Sequence, residues 1–258
     1  MKSIRRSLAI TNQKGGVGKT TTAINFAAAL SQMDWNVLLI DLDPQGNATS
    51  GSGLEDYSHC SAELVIGKCQ AQSCIYPSAF GGFDLIPASE QLIESEITLL
   101  QQNDRFSALK KAVNELMSKY HVILFDCPPS LNILSMNALM AADAVLIPVQ
   151  CEYYALEGLT HLLKTLNSLR QTHQLEIDGI IRTMYDGRLK LSKEVSAQLK
   201  SNFDQWVFDT MIPRNVKLAE APSHNKPIQC YDPKSQGAMA YLALAYEWEK
   251  RMTNQRAA

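Results

Sequence analysis

Gln13-Lys14-Gly15-Gly16-Val17-Gly18-Lys19-Thr20-Thr21-Thr22 is the stretch on which the fold turns. An apolar run, Leu8-Ala9-Ile10, leads into it, and a helix-prone run, Ala23-Ile24-Asn25-Phe26-Ala27-Ala28-Ala29-Leu30, leads out. Strand, glycine-rich turn and helix, in that order, are the context a phosphate-binding loop requires. Glycines let backbone N–H groups converge on an anion, and the first turn of the helix adds the positive end of its dipole. The residues expected to hold the nucleotide phosphates are Lys14, Gly15, Gly16, Val17, Gly18, Lys19, Thr20 and Thr21. Lys19 is placed to reach the β- and γ-phosphates, and the Thr20 hydroxyl to ligate a Mg²⁺ shared with them.

The standard pattern opens on a glycine where Gln13 stands, and a second lysine, Lys14, precedes the glycine pair. Six fixed positions at ~5–7% usage each arise by chance in a chain this long on the order of once in 10⁵, so a plain glycine-rich turn explains them poorly. Lys-Gly-Gly-x-Gly-Lys-Thr resembles the deviant loop of the ParA/MinD ATPases throughout. The resemblance implies that Lys14 acts across a two-fold interface, on the nucleotide of a partner subunit. Two bound triphosphates repel across such an interface, and each lysine neutralises the opposing one. A homodimer held by ATP is therefore expected, with Gly15 kept small where the two backbones approach.

Two further strand ends carry carboxylates. Val37-Leu38-Leu39-Ile40 ends in Asp41-Leu42-Asp43-Pro44-Gln45-Gly46-Asn47, and Val122-Ile123-Leu124-Phe125 ends in Asp126-Cys127-Pro128-Pro129-Ser130. Proline and glycine stop regular structure at once, which leaves the aspartates at the carboxyl ends of their strands. In an open parallel sheet that is where ligands bind. Asp126 after four apolar residues has the Walker B form, whose carboxylate holds Mg²⁺ directly or through water. The resemblance adds that Asp43 orients the attacking water and lies at the metal with Thr20 and Asp126, while Asp41 supports the metal and its switch region. It marks Pro128–Asn137 as a second switch, with Asn132 where the family usually has glycine. Lys14, Lys19 and Asp43 are the expected catalytic residues.

Apolar runs alternate with helical periodicity along the rest of the chain. Strands are expected at 83–87, 144–149, 179–184 and 207–212, and helices at 62–66, 91–100, 106–119, 157–171 and 237–251. Residues 51–80 are otherwise unreadable, with glycine and proline punctuation and no period. The alternation predicts an α/β fold: a doubly wound, mostly parallel twisted sheet flanked by helices, here as one P-loop ATPase domain spanning 1–258. Crossovers of the usual hand bring Asn12, Asp43 and Asp126 to one crevice.

Gln150–Leu159 and Pro213–His224 resemble the chromosomal ParA (Soj) branch closely. By that resemblance Pro213 and Asn215 flank the adenine, with Met184 on the ring's other face. The chain lacks the N-K-x-D run of guanine-specific P-loop proteins, so ATP with Mg²⁺ is the expected cofactor pair. Arg188, Lys190 and Lys217 match basic residues that Soj-type proteins use on nonspecific double-stranded DNA, and Lys193, Lys226 and Lys234 are candidates to add to them. A ParB-type partner that stimulates hydrolysis is implied as well.

The chain has 258 residues, 46% hydrophobic, with a net charge of −2, so any DNA affinity must come from a local patch. Six cysteines without a C-x-x-C pair are expected as small core residues and free thiols. No signal peptide and no membrane anchor are expected, which places the protein in the cytoplasm, associated with the nucleoid. A MinD-like membrane ATPase is the alternative. It needs a basic amphipathic tail, and Met252–Ala258 has little apolar surface. An iron–sulfur ATPase of the nitrogenase type would use Cys127, but no second cysteine is well placed. A plasmid partition repressor needs a helix-turn-helix module ahead of the first strand.

Overall fold

The computed structural model describes residues 4–171 and 173–257. In chain order the first half contains β1 (Arg6–Ile10), α1 (Lys19–Gln32), β2 (Val37–Asp41), α2 (Asn47–Gly51), α3 (Ser61–Val65), β3 (Tyr76–Pro77), β4 (Asp84–Ile86), α4 (Leu92–Gln101) and α5 (Ala108–Val113). The second half contains β5 (Val122–Asp126), α6 (Ile133–Ala141), β6 (Ala144–Gln150), α7 (Ala155–Arg170), β7 (Glu176–Tyr185), α8 (Lys190–Phe203), β8 (Val207–Pro213), α9 (Val216–Glu220), α10 (Ile228–Tyr231) and α11 (Gln236–Ala257).

The strands form one sheet in the order β3-β4-β2-β5-β1-β6-β7-β8. Neighbours run parallel except β3 against β4. From β1 the chain moves outward on one side through β2 and returns at β5, then crosses to the other side at β6. Strand order thus reverses around β1, which opens a crevice at the carboxyl ends there. Register sets what faces that crevice: both Ile10 and Asp41 pair with Asp126. The doubly wound sheet expected from the sequence is the one observed, with the three motif-bearing strands adjacent.

Alternate residues of each strand enter different cores. Leu8, Ile10, Leu39, Leu124 and Leu146 face α1 and α11, where Phe26, Trp35 and Trp248 interlock edge to face. Ala9, Leu38, Ile40, Phe125 and Ile147 face the opposite layer, built from α3 to α8. Helix α1 is buried almost all round, as its alanine-rich sequence allows. Both sheet edges are blunted. β3 has only two residues, one of them Pro77, and α11 covers β8.

Two differences from the sequence expectation have local causes. The helix expected over 106–119 is α5 followed by a tighter 3₁₀ segment, Asn114–Ser118. Its stripe of Leu109, Val113 and Leu116 is nonetheless fully buried, because a tightened last turn keeps the same face inward. Residues 51–80 hold α3, a 3₁₀ turn at Ala71–Cys74 and β3. Side chains fix this region: the Tyr76 hydroxyl accepts from the backbone N–H of Ser58 and His59, and the Tyr57 hydroxyl donates to the Ala88 carbonyl.

At Gly179, β7 and β8 approach so closely that an added Cβ would collide with the Phe208 ring. That ring is fully buried and carries the Arg251 guanidinium 4.2 Å from its centre, so it has little room to move. Gly179→Ala is expected to lower stability by about 1–3 kcal/mol, read from the urea midpoint. An unchanged midpoint would show that the ring swings aside freely.

Candidate functional site

The loop between β1 and α1 is tied to β6 by its own Asn12 and to β7 by Thr183. Asn12 donates through Nδ2 to the Pro148 carbonyl at 2.7 Å, and its Oδ1 accepts from the Lys14 N–H at 3.0 Å. The Thr183 hydroxyl of β7 donates to the Val17 carbonyl at 2.8 Å. Gly16 and Gly18 take φ of +73° and +89°, a left-handed backbone that side chains other than glycine resist. Gly18 also caps α1 with no side-chain bond of its own, so the first N–H groups of that helix remain to be satisfied by a ligand.

Lys19 is 7% exposed and donates to the Lys14 carbonyl at 3.2 Å. Burial pushes its ammonium below the usual lysine range, against the pull of Asp126, Cys127 and Asp43. Asp126 has no exposure, and neither of its carboxylate oxygens has a hydrogen-bond partner. Its pKa rises well above the usual carboxylate range, first through burial and then through the charge of Asp41, while Thr20 and Lys19 pull the other way. A fully buried, unpartnered carboxylate beside a threonine hydroxyl is the donor set that a hard divalent cation requires. Thr20 and Asp126 thus fit a Mg²⁺ ion.

The two aspartates after β2 have different work. Asp41 is saturated: Oδ1 accepts from the Asp43 N–H at 3.1 Å, and Oδ2 from the Thr49 N–H and hydroxyl at 2.9 and 2.8 Å. Burial still pushes its carboxyl up to about 6. These three hydrogen bonds shape the Asp43–Thr49 loop around it. Asp43 accepts from the Gln45 N–H through Oδ1, and its Oδ2 takes no hydrogen bond among the described residues. That oxygen can accept from a water or join a metal.

Lys14 points elsewhere. It forms an ion pair with Glu152, in the loop after β6, and the two side chains are 40% and 34% exposed. An added Cβ at Gly15 meets nothing within 4 Å, so no contact inside the chain requires glycine there.

Beside the loop lies a cavity of about 240 Å³ lined by Gly18, Thr21, Thr183, Met184, Pro213 and Asn215. Met184, Pro213 and Asn215, expected around a base, are thus brought together at one wall of the phosphate loop. Met184 holds a positive φ of +49°, and Asn215 caps α9 by accepting from the Leu218 N–H, which leaves its amide N–H groups free to donate. The segment expected as a second switch is tied down too: Asn132 caps α6 by accepting from the Ser135 N–H and donates to Glu96 of α4.

Arg188, Lys190 and Lys217 lie on or just after the loops that follow β7 and β8, loops joined by the Arg214 N–H donating to the Tyr185 carbonyl. Each is paired with a nearby acid: Arg188 bidentately with Asp186, Lys190 with Glu194, and Lys217 with Glu220. Such exposed pairs contribute little to stability. Lys226 is elsewhere, over the Phe80 ring in a hollow beside Asn47 and Ser50. Cys127 is packed in the core.

Sequence reasoning did not single out Glu152 or Thr183. Glu152 lies in the Gln150–Leu159 stretch, but nothing local marks either residue as a partner of the loop, which each meets across the sheet.

A phosphate loop, a buried metal-type carboxylate and an adjoining base-sized cavity define a P-loop nucleotide hydrolase. The model of an AAA domain family matches residues 5–179. The chain is 49% identical to the sporulation initiation inhibitor protein Soj of Bacillus subtilis, over 93% of this chain and 96% of that one. It is 44% identical to the chromosome partitioning protein ParA of Myxococcus xanthus, over 97% and 90%. The cobyrinic acid a,c-diamide synthase of Mycobacterium smegmatis, solved with an ATP analogue and magnesium, superposes with a TM-score of 0.82 at 34% identity, over 94% of this chain and 93% of that one. The chain belongs to the ParA/Soj family of chromosome-partitioning ATPases, and its cofactors are ATP and Mg²⁺.

Asp126→Asn replaces a buried carboxyl, which burial makes costly to ionise, with an uncharged amide of nearly the same volume. The ligand-free protein should gain about 1–3 kcal/mol in urea unfolding at neutral pH, while Mg-ATP should no longer raise its melting temperature. A less stable ligand-free variant would mean that the carboxylate is already satisfied.

Proposed function

We propose that this protein is a nucleotide-switched homodimer, in which Lys14 of each copy engages the nucleotide of the other. Dimerisation couples ATP to nonspecific binding of double-stranded DNA. The carrying observation is the division of labour between the two lysines of the loop. Lys19 is buried among the aspartates, whereas the Lys14 side chain is half-exposed at the rim and paired with the half-exposed Glu152. A lysine at the rim is available to a second copy, and the open space around Gly15 leaves room for one. The MinD-like alternative has no comparable observation in its favour, and no helix among the described residues is long and apolar enough to cross a membrane.

Bound ATP and Mg²⁺ supply the phosphoanhydride to be cleaved and the positive charge that offsets it. Backbone N–H groups of Gly16 to Thr20 bind the phosphates, Lys19 neutralises them, and Thr20 and Asp126 hold the metal, with Asp43 close by. Asp43 Oδ2 orients a water for in-line attack. No strong general base stands in the site, so unassisted hydrolysis is slow. A ParB-type partner accelerates it and returns the protein to a monomer. Met184, Pro213 and Asn215 hold the adenine. Arg188, Lys190 and Lys217 contact phosphates without reading sequence, and a dimer doubles their number. The protein acts in the cytoplasm on the nucleoid, in chromosome or plasmid partition.

Sedimentation with ATP, ADP or no nucleotide tests the switch. Dimers should appear only with ATP in the native protein and not at all in Lys14→Ala, which should still bind ATP; normal dimers in that variant would remove Lys14 from the interface.

Arg188→Glu should weaken DNA binding about tenfold or more at moderate salt and flatten its salt dependence, while ATP dimers persist. Unchanged co-sedimentation with DNA would leave Arg188 as an ordinary surface residue.

A further inference from the structure

Far from the nucleotide, the 3₁₀ turn Ala71–Cys74 brings two thiols together. The sulfurs of Cys69 and Cys74 are 2.6 Å apart, well inside ordinary van der Waals contact. Both are free cysteines, and their positions are set by the backbone. The Lys68 N–H donates to the Glu63 carbonyl, the Ser73 N–H to the Gln70 carbonyl, and Gly67 turns the chain with a φ of +74°. The two thiols are not equivalent. Cys74 is fully buried, whereas Cys69 is partly exposed and lines an open hollow of about 500 Å³ between α3 and α5. Both are free thiols, and burial pushes each above the usual cysteine range, so each keeps its proton until it reacts.

We propose that Cys69 and Cys74 form a reversible dithiol–disulfide site, in which Cys69 takes up an oxidant of the low-molecular-weight disulfide class and Cys74 resolves it. The Cys69 thiolate, having given its proton to water, attacks one sulfur of the small disulfide. A mixed disulfide forms at Cys69 and one small thiolate leaves. The Cys74 sulfur, already in contact, then attacks the Cys69 sulfur, loses its proton to solvent and expels the second small thiolate. The two protein thiols are oxidised by two electrons and one small disulfide is reduced to two thiols. The hollow admits the reagent to Cys69 alone, which fixes the order of attack. The ring closed from Cys69 to Cys74 pins the 3₁₀ turn against the α3 side of the hollow. None of this depends on the nucleotide site.

The test uses the full chain and oxidised glutathione. After exposure, the protein is alkylated with N-ethylmaleimide and digested with trypsin. Lys68 and Arg105 bound one peptide that contains both cysteines. In the native protein that peptide should become two hydrogens lighter and refuse both alkyl groups, and a dithiol reductant should restore both. Cys74→Ser should stop at a stable glutathione adduct on Cys69, and Cys69→Ser should leave Cys74 unmodified at the same exposure. A native peptide that still takes two alkyl groups, a glutathione adduct that persists on native Cys69, or a bond from either sulfur to Cys60 would overturn the proposal. The native measurement decides the matter even if a serine variant misfolds.

Discussion

One lysine and three aspartates share a space from which water is nearly excluded. Lys19, Asp41, Asp43 and Asp126 are each at most 9% exposed, and only one of the four is a cation. Their charges cannot balance by themselves. Asp41 is satisfied by the Asp43 and Thr49 N–H groups and the Thr49 hydroxyl, whereas the Asp126 oxygens make no hydrogen bond of ordinary geometry and have the nearby Thr20 hydroxyl and Lys19 to offset them. The imbalance is a cost in folding energy that a bound divalent cation removes. The site is therefore assembled at the expense of the ligand-free state, and the surrounding sheet must be stable enough to hold it.

The rim of the site is organised on another principle. Lys14 and Glu152 are half-exposed and complementary, so their pairing is weak and open to exchange. Asn132 and Glu96 join the segment after β5 to α4 in a similar way. Charges fixed in the interior and exchangeable ones at the edge would suit the nucleotide-switched dimer proposed above. At the β7 and β8 loops the same economy holds, because each basic side chain already rests on an acid that a phosphate can replace.

Much of this was legible in the sequence, and the legible parts share a cause. The phosphate loop, the strand ends at Asp43 and Asp126, and the core stripe of Leu109, Val113 and Leu116 are encoded by neighbours in sequence. Glycine, proline and apolar period act over a few residues. Residues 51–80 were not legible because β3 is only two residues long and is held by tyrosine hydroxyls reaching across the fold. The proximity of Cys69 and Cys74 lay in the same unreadable stretch.

By itself the sequence determined the class of fold, the phosphate loop and the order of the motifs, because these depend on local backbone preference and hydrophobic pattern. Tertiary structure alone decided which groups remain unpaired. That Thr183 grips the Val17 carbonyl and that Lys14 meets Glu152 follow from strand register and crossover, which bring residues more than a hundred positions apart into contact, and the same register sets Asp126 against Asp41 in the interior. Such pairings leave no periodic trace in the chain, since each involves a single residue at each end.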